Sequence, residues 1–186
     1  GQYLETVLRG GAAPSKAFDG DHFDNPNLLG HFRGTVTPGG QRLMLEEIQS
    51  DPIKQLSPAL ASRVYGDIGE AAIEGAARAG IPSVAFPSAE RIGNVRGGTK
   101  AFIRDLYDKS LPEQLLTPLS EAGVPMYTHE GWTNVELPPA LREQIIQSGV
   151  PLKKAKGGRV KETDFMTLSN DPEKRQRQVE FGQAVD

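Results

Sequence analysis

The chain contains no cysteine. That single absence removes disulfides, thiolate zinc sites, iron–sulfur clusters and a thiol nucleophile. Histidine is scarce as well: His22, His31 and His129 are the whole supply, too few for a histidine-rich metal site, so no metal is expected. No apolar run approaches the stretch of ~20 residues that a helical membrane span needs. Neither sign of charge dominates, because 21 Lys plus Arg stand against 24 Asp plus Glu, for a formal net charge of −3. A dedicated nucleic-acid binder normally carries a basic excess, so nucleic acid is not the expected partner. The 21 glycines and 14 prolines among 186 residues remain below the range of disordered chains. No charged-then-apolar signal pattern opens the chain, and Gly1-Gln2-Tyr3 in place of an initiating Met reads as the start of a piece cut from something longer. What survives is a soluble, cytoplasmic domain whose chemistry rests on carboxylates, Arg, Tyr and backbone.

The length suits about one domain with a proper core. The expectation is a single α/β (α+β) domain over 1–150, then a basic extended segment and a polar C-terminal helix over 151–186. Up to Ser50 the patterning is that of antiparallel strands. Tyr3–Leu8 alternates, Gly10–Ser15 interrupts, and Leu28–Val36 and Arg42–Ser50 flank a hairpin loop at Thr37–Gly40. From Pro58 the apolar period lengthens, with Tyr65, Ile68, Ala72, Ala76 and Ala79 on one helical face and Gly80 and Pro82 as stop signals. Ser83–Phe86 reads as a short buried strand. A glycine-rich stretch (Gly93, Gly97, Gly98) leads to a helix over Thr99–Lys109, with Phe102, Ile103 and Leu106 toward the core. Ser110 and Glu113 have capping-box spacing, so a separate helix is expected from there to Gly123. Strands at Met126–Thr128 and Thr133–Leu137 and a helix over Pro139–Ser148 complete the pattern.

The strand ending at Asp51 is the richest in chemistry. Period-two alternation sets Met44, Glu46, Ile48 and Ser50 on one face, and Leu43, Leu45, Glu47, Gln49 and Asp51 on the other. Whichever face meets the core, one carboxylate points at apolar neighbours, and desolvation raises a carboxyl pKa toward the range of a general base. An edge strand that uses exposed Glu and Gln to block stray pairing would carry the same residues. His31 and Arg33 share a face of the preceding strand and come within reach of those carboxylates across the hairpin, as a site or as a plain cross-strand ion pair. Arg63-Val-Tyr-Gly66 and Gly69 open the first long helix, where glycine costs about 1 kcal/mol relative to Ala. Close approach of a phosphate to bare helix N–H groups explains these glycines, and so does tight helix–sheet packing. Tyr107 falls at the end of its expected helix, where a half-buried tyrosine hydrogen-bonds locally by default.

Taken in order, antiparallel strands, a glycine-bearing helix, a strand, a helix ending in Tyr and late strands resemble the GNAT acyltransferase superfamily over roughly residues 28–128. In that family two neighbouring strands splay apart and acyl-CoA lies in the gap. Its pyrophosphate rests on the next helix N-terminus through an Arg/Gln-x-x-Gly-x-Gly/Ala loop. Arg63-Val-Tyr-Gly66 matches the first half of that loop, with Ile68 in the place of its small residue and Gly69 one position late. The resemblance implies acetyl-CoA held at Arg63, Gly66 and Gly69, Glu46 or Glu47 as base, and Tyr107 as the acid that protonates the departing thiolate. His31, Arg33, Gln49 and Asp51 would then position an acceptor, a protein or small-molecule amine. A second resemblance, over about residues 3–152, is to modules of large phage and mobile-element polyvalent proteins. It is carried by Asn27 to Arg33, Glu46 to Asp51, Tyr107 to Pro112 and Leu137 to Arg142. Those modules usually have Trp where Pro52 stands, and often Trp and Lys at the places of Tyr65 and Ala71. This likeness implies an injected or horizontally moved protein, and admits a non-catalytic interaction module. A third reading, an ADP-ribosyltransferase holding NAD through Arg33 and a Glu, fits the strand order less well.

Overall fold

The computed structural model describes residues 1–9, 28–50, 53, 58–95 and 100–152. Asp51, the Gly97–Thr99 region and the basic segment from Lys153 onward lie outside the described residues. Among the described residues the architecture is α+β: one open, mixed, mostly antiparallel sheet of six strands with four main helices, besides a short helical turn at Pro58–Ala61. In chain order these are β1 (Gln2–Arg9), β2 (Leu28–Val36), β3 (Leu43–Gln49), α1 (Val64–Arg78), β4 (Ser83–Pro87), α2 (Ala89–Val95), α3 (101–121), β5 (Met126–His129), β6 (Trp132–Glu136) and α4 (Pro139–Ser148). The spatial order is β1-β2-β3-β4-β6-β5, antiparallel throughout except that β3 and β4 run parallel, joined by the α1 crossover. Among the described residues no helix is long and apolar enough to cross a membrane.

One face of the sheet takes α1. Ile68, Ala72, Ile73 and Ala76 are buried between the helix and Phe32, Leu43, Leu45, Ile48 and Val84. The many alanines let the helix axis come close. At Gly30 on β2 it comes so close that an added Cβ would stand 2.4 Å from the Ile68 side chain. The helix stops as expected. The Ile81 N–H reaches back to the Ala76 carbonyl and that of Gly80, at φ +74°, to Ala77, the bonding of a Schellman cap. Ala79 therefore falls past the last turn and is exposed.

Two expectations about the following helices are corrected. No break occurs at Ser110. α3 runs unbroken from Ala101–Arg104 to Thr117–Glu121, with Leu111 helical at φ −66° and ψ −46°, and it winds as a π-helix over Asp105–Ser110 and Pro112–Leu116. The wider winding relieves the clash that the Pro112 ring would otherwise make with the carbonyl four residues back. Tyr107 is consequently mid-helix and only 6% exposed, and Phe102, expected in the core, is 61% exposed at the helix start. A helix that the pattern did not announce, α2, is capped from two sides. The Ala89 N–H donates to Asp108 Oδ1, and the Arg91 N–H to Ser88 Oγ. Arg91 then lays its guanidinium over Trp132, 5.4 Å from the ring centroid.

Candidate functional site

β3 departs from strict alternation. Arg33 stands opposite Glu47 and Gly34 opposite Leu45, so Glu46 is an extra residue, a β-bulge. The extra residue reverses parity along the rest of the strand. Ile48 and Ser50 therefore join Leu43 and Leu45 on the buried face, and the two-face assignment made from alternation is corrected at this point. Both carboxylates are left on the polar side. There Arg33 Nη1 holds Glu47 Oε2 at 3.1 Å, His31 Nε2 lies 4.0 Å from the same oxygen, and the Thr35 hydroxyl donates to Glu46 Oε1 at 2.5 Å. His31 is fully buried and its strand register puts it beside Gln49.

The two carboxylates thus sit in different settings. Glu47 is neutralised by Arg33. Burial pushes the Glu46 carboxyl above the ordinary range, with the Thr35 hydroxyl opposing that shift, Glu47 adding to it and Arg33 opposing it again. Thr35 is a participant that the sequence reading passed over, although alternation along β2 already puts it on the face of His31 and Arg33.

Beside this cluster the sheet opens. β3 and β4 are in register only at Leu43 with Val84 and Met44 with Ala85, yet β3 continues to Gln49 and β4 to Pro87. Past that point the facing backbone groups of these strands need other partners. α3 provides one: the Tyr107 hydroxyl accepts the Ile48 N–H at 3.0 Å in a buried setting. Tyr107 thereby reaches the strand one residue from Glu47.

The predicted cofactor residues lie at the N-terminal end of α1. Arg63 Nε is 3.5 Å from Asp67 Oδ2, whose carboxyl is pushed up by burial and drawn back by Arg63. The Gly66 N–H donates to the side-chain oxygen of Gln114 at 3.0 Å, and a Cβ on Gly66 would be 2.9 Å from the Gln114 carbonyl oxygen. A Cβ on Gly69 would stand 2.3 Å from Leu115 Cδ2. Both glycines therefore serve close packing of α1 on α3. Gln114 had no signal in the sequence, since its role depends on that contact.

His31, Arg33, Glu46, Glu47 and Gln49 are thus gathered on one strand pair, with Tyr107 docked on its edge. Arg63, Gly66 and Gly69 form a separate group under α3. Asp51 lies outside the described residues. Among the described residues no group of three or more His, Asp or Glu is placed to hold a metal ion. A groove of about 790 Å³ opens at the other end of the sheet, where the β2–β3 hairpin meets the C-terminus of α1, between Gly40, Pro82, Pro125 and Arg142. It includes none of the candidate residues. In comparisons with known proteins, no family model, no curated protein and no solved structure matches the chain.

Proposed function

We propose that the chain is a GNAT-like N-acyltransferase that moves an acetyl or other acyl group from acyl-CoA to an amine on a protein or small molecule. The observation that carries this reading is the divergence of β3 from β4 directly beside the Glu46–Glu47 bulge. It is the arrangement that the family resemblance implies for an acyl-CoA gap. The backbone at the gap and, separately, at the start of α1 suits such a ligand. Two backbone N–H groups, of Ile48 and Gly66, each already hold a side-chain oxygen, from Tyr107 and Gln114, where a ligand's oxygens could stand.

Bound acyl-CoA supplies the activated thioester. Glu46 acts as the base: burial makes its carboxylate more basic than an ordinary one, and it accepts a proton from the acceptor's ammonium, which frees the nitrogen lone pair. Arg33 holds Glu47 in place through their ion pair, so Glu47 orients the cationic acceptor rather than taking its proton. Tyr107 gives its hydroxyl proton to the departing thiolate and regains one from the acylated nitrogen, and the Ile48 N–H that its oxygen accepts steadies the charge on that oxygen in between. His31 and Gln49 complete the acceptor side.

Calorimetric titration with acetyl-CoA tests the reading. Saturable binding that protects the Ile48 amide from exchange is expected, and absence of binding at about millimolar ligand overturns it. Internal capture of both backbone donors favours a second reading, a non-catalytic interaction module. In that case Glu46→Gln and Arg33→Met change stability and leave partner binding as it was.

A further inference from the structure

The groove of about 790 Å³ at the far end of the sheet falls within the size of ligand sites, about 300–1,000 Å³, and the acyltransfer reading leaves it unused. Two opposite charges border it. Glu136, which ends β6, takes the Ser83 hydroxyl on Oε1 at 3.0 Å, and Arg142 stands in the first turns of α4. Both residues are half-buried. Among the described residues they form no ion pair with each other, and the Arg142 guanidinium has no partner. Complementary groups kept apart in one groove suit a ligand that carries both charges.

The rest of the lining decides what lies between those charges. Pro82, Pro125, Pro138 and Pro139 present apolar ring surface and have no N–H. The N–H groups of Gly40, Ala79, Gly80, Glu136, Leu137 and Arg142 are all spent on carbonyls of the fold itself. The Gln41 side-chain amide is likewise given to the Gly39 carbonyl. α1 meets the groove with its C-terminal end, where a helix has its negative partial charge. Away from the hairpin tip, the wall therefore offers acceptors and apolar surface, and donates only from Arg142. Its main chain is also within reach, because an added Cβ at Gly40 or Gly80 would meet nothing within 4 Å.

We propose that this groove is a binding site for a short free peptide with apolar side chains. The ammonium end goes to Glu136 and the C-terminal end of α1, and the carboxylate end goes to Arg142. The peptide's own N–H groups answer the donor-poor wall, and its side chains lie on the prolines. The site stands apart from the acyl-CoA reading, since none of its residues belongs to the Glu46–Glu47 cluster or to the start of α1.

The test is a chemical-shift titration of the intact chain with the tripeptide Ala-Leu-Ala, its N-acetyl form and its C-terminal amide. Ala-Leu-Ala should shift the amides of Gly40 and Gly80 saturably, with a dissociation constant on the order of 1 mM or below, and leave Ile48 unmoved. Removal of either charge should weaken binding about tenfold. Glu136→Gln keeps an acceptor for the Ser83 hydroxyl, and it should bind the free and N-acetyl forms alike. Arg142→Gln should bind the acid and the amide alike. Free leucine, with both charges and no peptide N–H, should bind more weakly than the tripeptide, and equal binding overturns the assignment to a peptide. Absence of shifts at Gly40 and Gly80, or equal binding of all three tripeptide forms by the intact chain, overturns the proposal whether or not the variants fold.

Discussion

Replacing Tyr107 by Phe removes one oxygen atom from a side chain that is 6% exposed and keeps the ring. The packing against Leu106, Leu111 and the rest of the core is then nearly unchanged, so a cavity term hardly enters. What changes is the Ile48 N–H, which loses its acceptor at 3.0 Å in a buried position beyond the end of the β3–β4 pairing. A buried donor left without a partner costs about 1–3 kcal/mol, well above the few tenths of a surface substitution. Because β4 has diverged, no neighbouring strand carbonyl is in register to replace the lost oxygen. The expected loss is therefore about 2 kcal/mol. Urea unfolding measures it, with the slope unchanged because the area buried is the same. Hydrogen exchange should show the Ile48 amide losing protection while Leu45, at the edge of the paired region, keeps it. A loss under about half a kcal/mol with the Ile48 amide still protected refutes the reasoning, since Ile48 would then have another acceptor.

Further outcomes follow from the same geometry. Glu46→Gln should stabilise the fold near neutral pH. A carboxyl whose folded pKa is raised has its stabilising contribution intact below the unfolded pKa of about 4.3 and loses it as pH rises through the raised value. Melting curves should coincide at pH 4 and separate by pH 7, and a variant less stable at pH 7 counts against the burial of Glu46. In the acyltransfer assay the same substitution should lower kcat by about 10²-fold or more and abolish the acidic limb of the pH profile. Gly69→Ala sets overpacking of about 1–3 kcal/mol against Leu115 over a helix gain of up to about 1 kcal/mol. A net loss in thermal melts is expected, and a rise in melting temperature shows that α3 yields more easily than its burial implies. Arg33→Met strips Glu47 of its 3.1 Å partner and should cost about 1.5–3 kcal/mol in urea unfolding, and an unchanged midpoint excludes a structural pair.

Local pattern served well where one element decides its own fate. The run from Pro139 to Gly149, the stop at Gly80 and the strands on either side of the Thr37–Gly40 loop all lie where periodicity and turn chemistry set them. It served less well where an element's form depends on what it packs against. Pro112 is a stop signal in isolation, and it becomes compatible with a continuous α3 only because the helix widens while Leu111 and Leu115 remain buried. Ser88 is a good cap residue, yet the glycine at position 93 hid the short helix that it starts with help from Asp108, 19 residues away in sequence. The clustering of His31, Arg33, Glu46 and Glu47 was legible, since the hairpin alone brings them together. Which carboxylate is neutralised was not, because that depends on a bulge that no residue type near Glu46 announces.

That bulge gives β3 a property resembling a reading frame. From Glu46 onward every side chain sits one position out of step with the alternation that Leu43 begins, because of one surplus residue. Deleting that residue would therefore turn nothing over: Leu45 would be followed by Glu47 on the polar side, still opposite Arg33, with Ile48 buried and Gln49 polar as before. Inserting one residue into the regular strand after Glu47 would do the reverse, sending Ile48 out to the polar side and Gln49 in toward the core. At this point the strand can lose a residue and keep its faces, and cannot gain one, so variants of this chain that keep the fold should differ in length here only by the absence of residue 46.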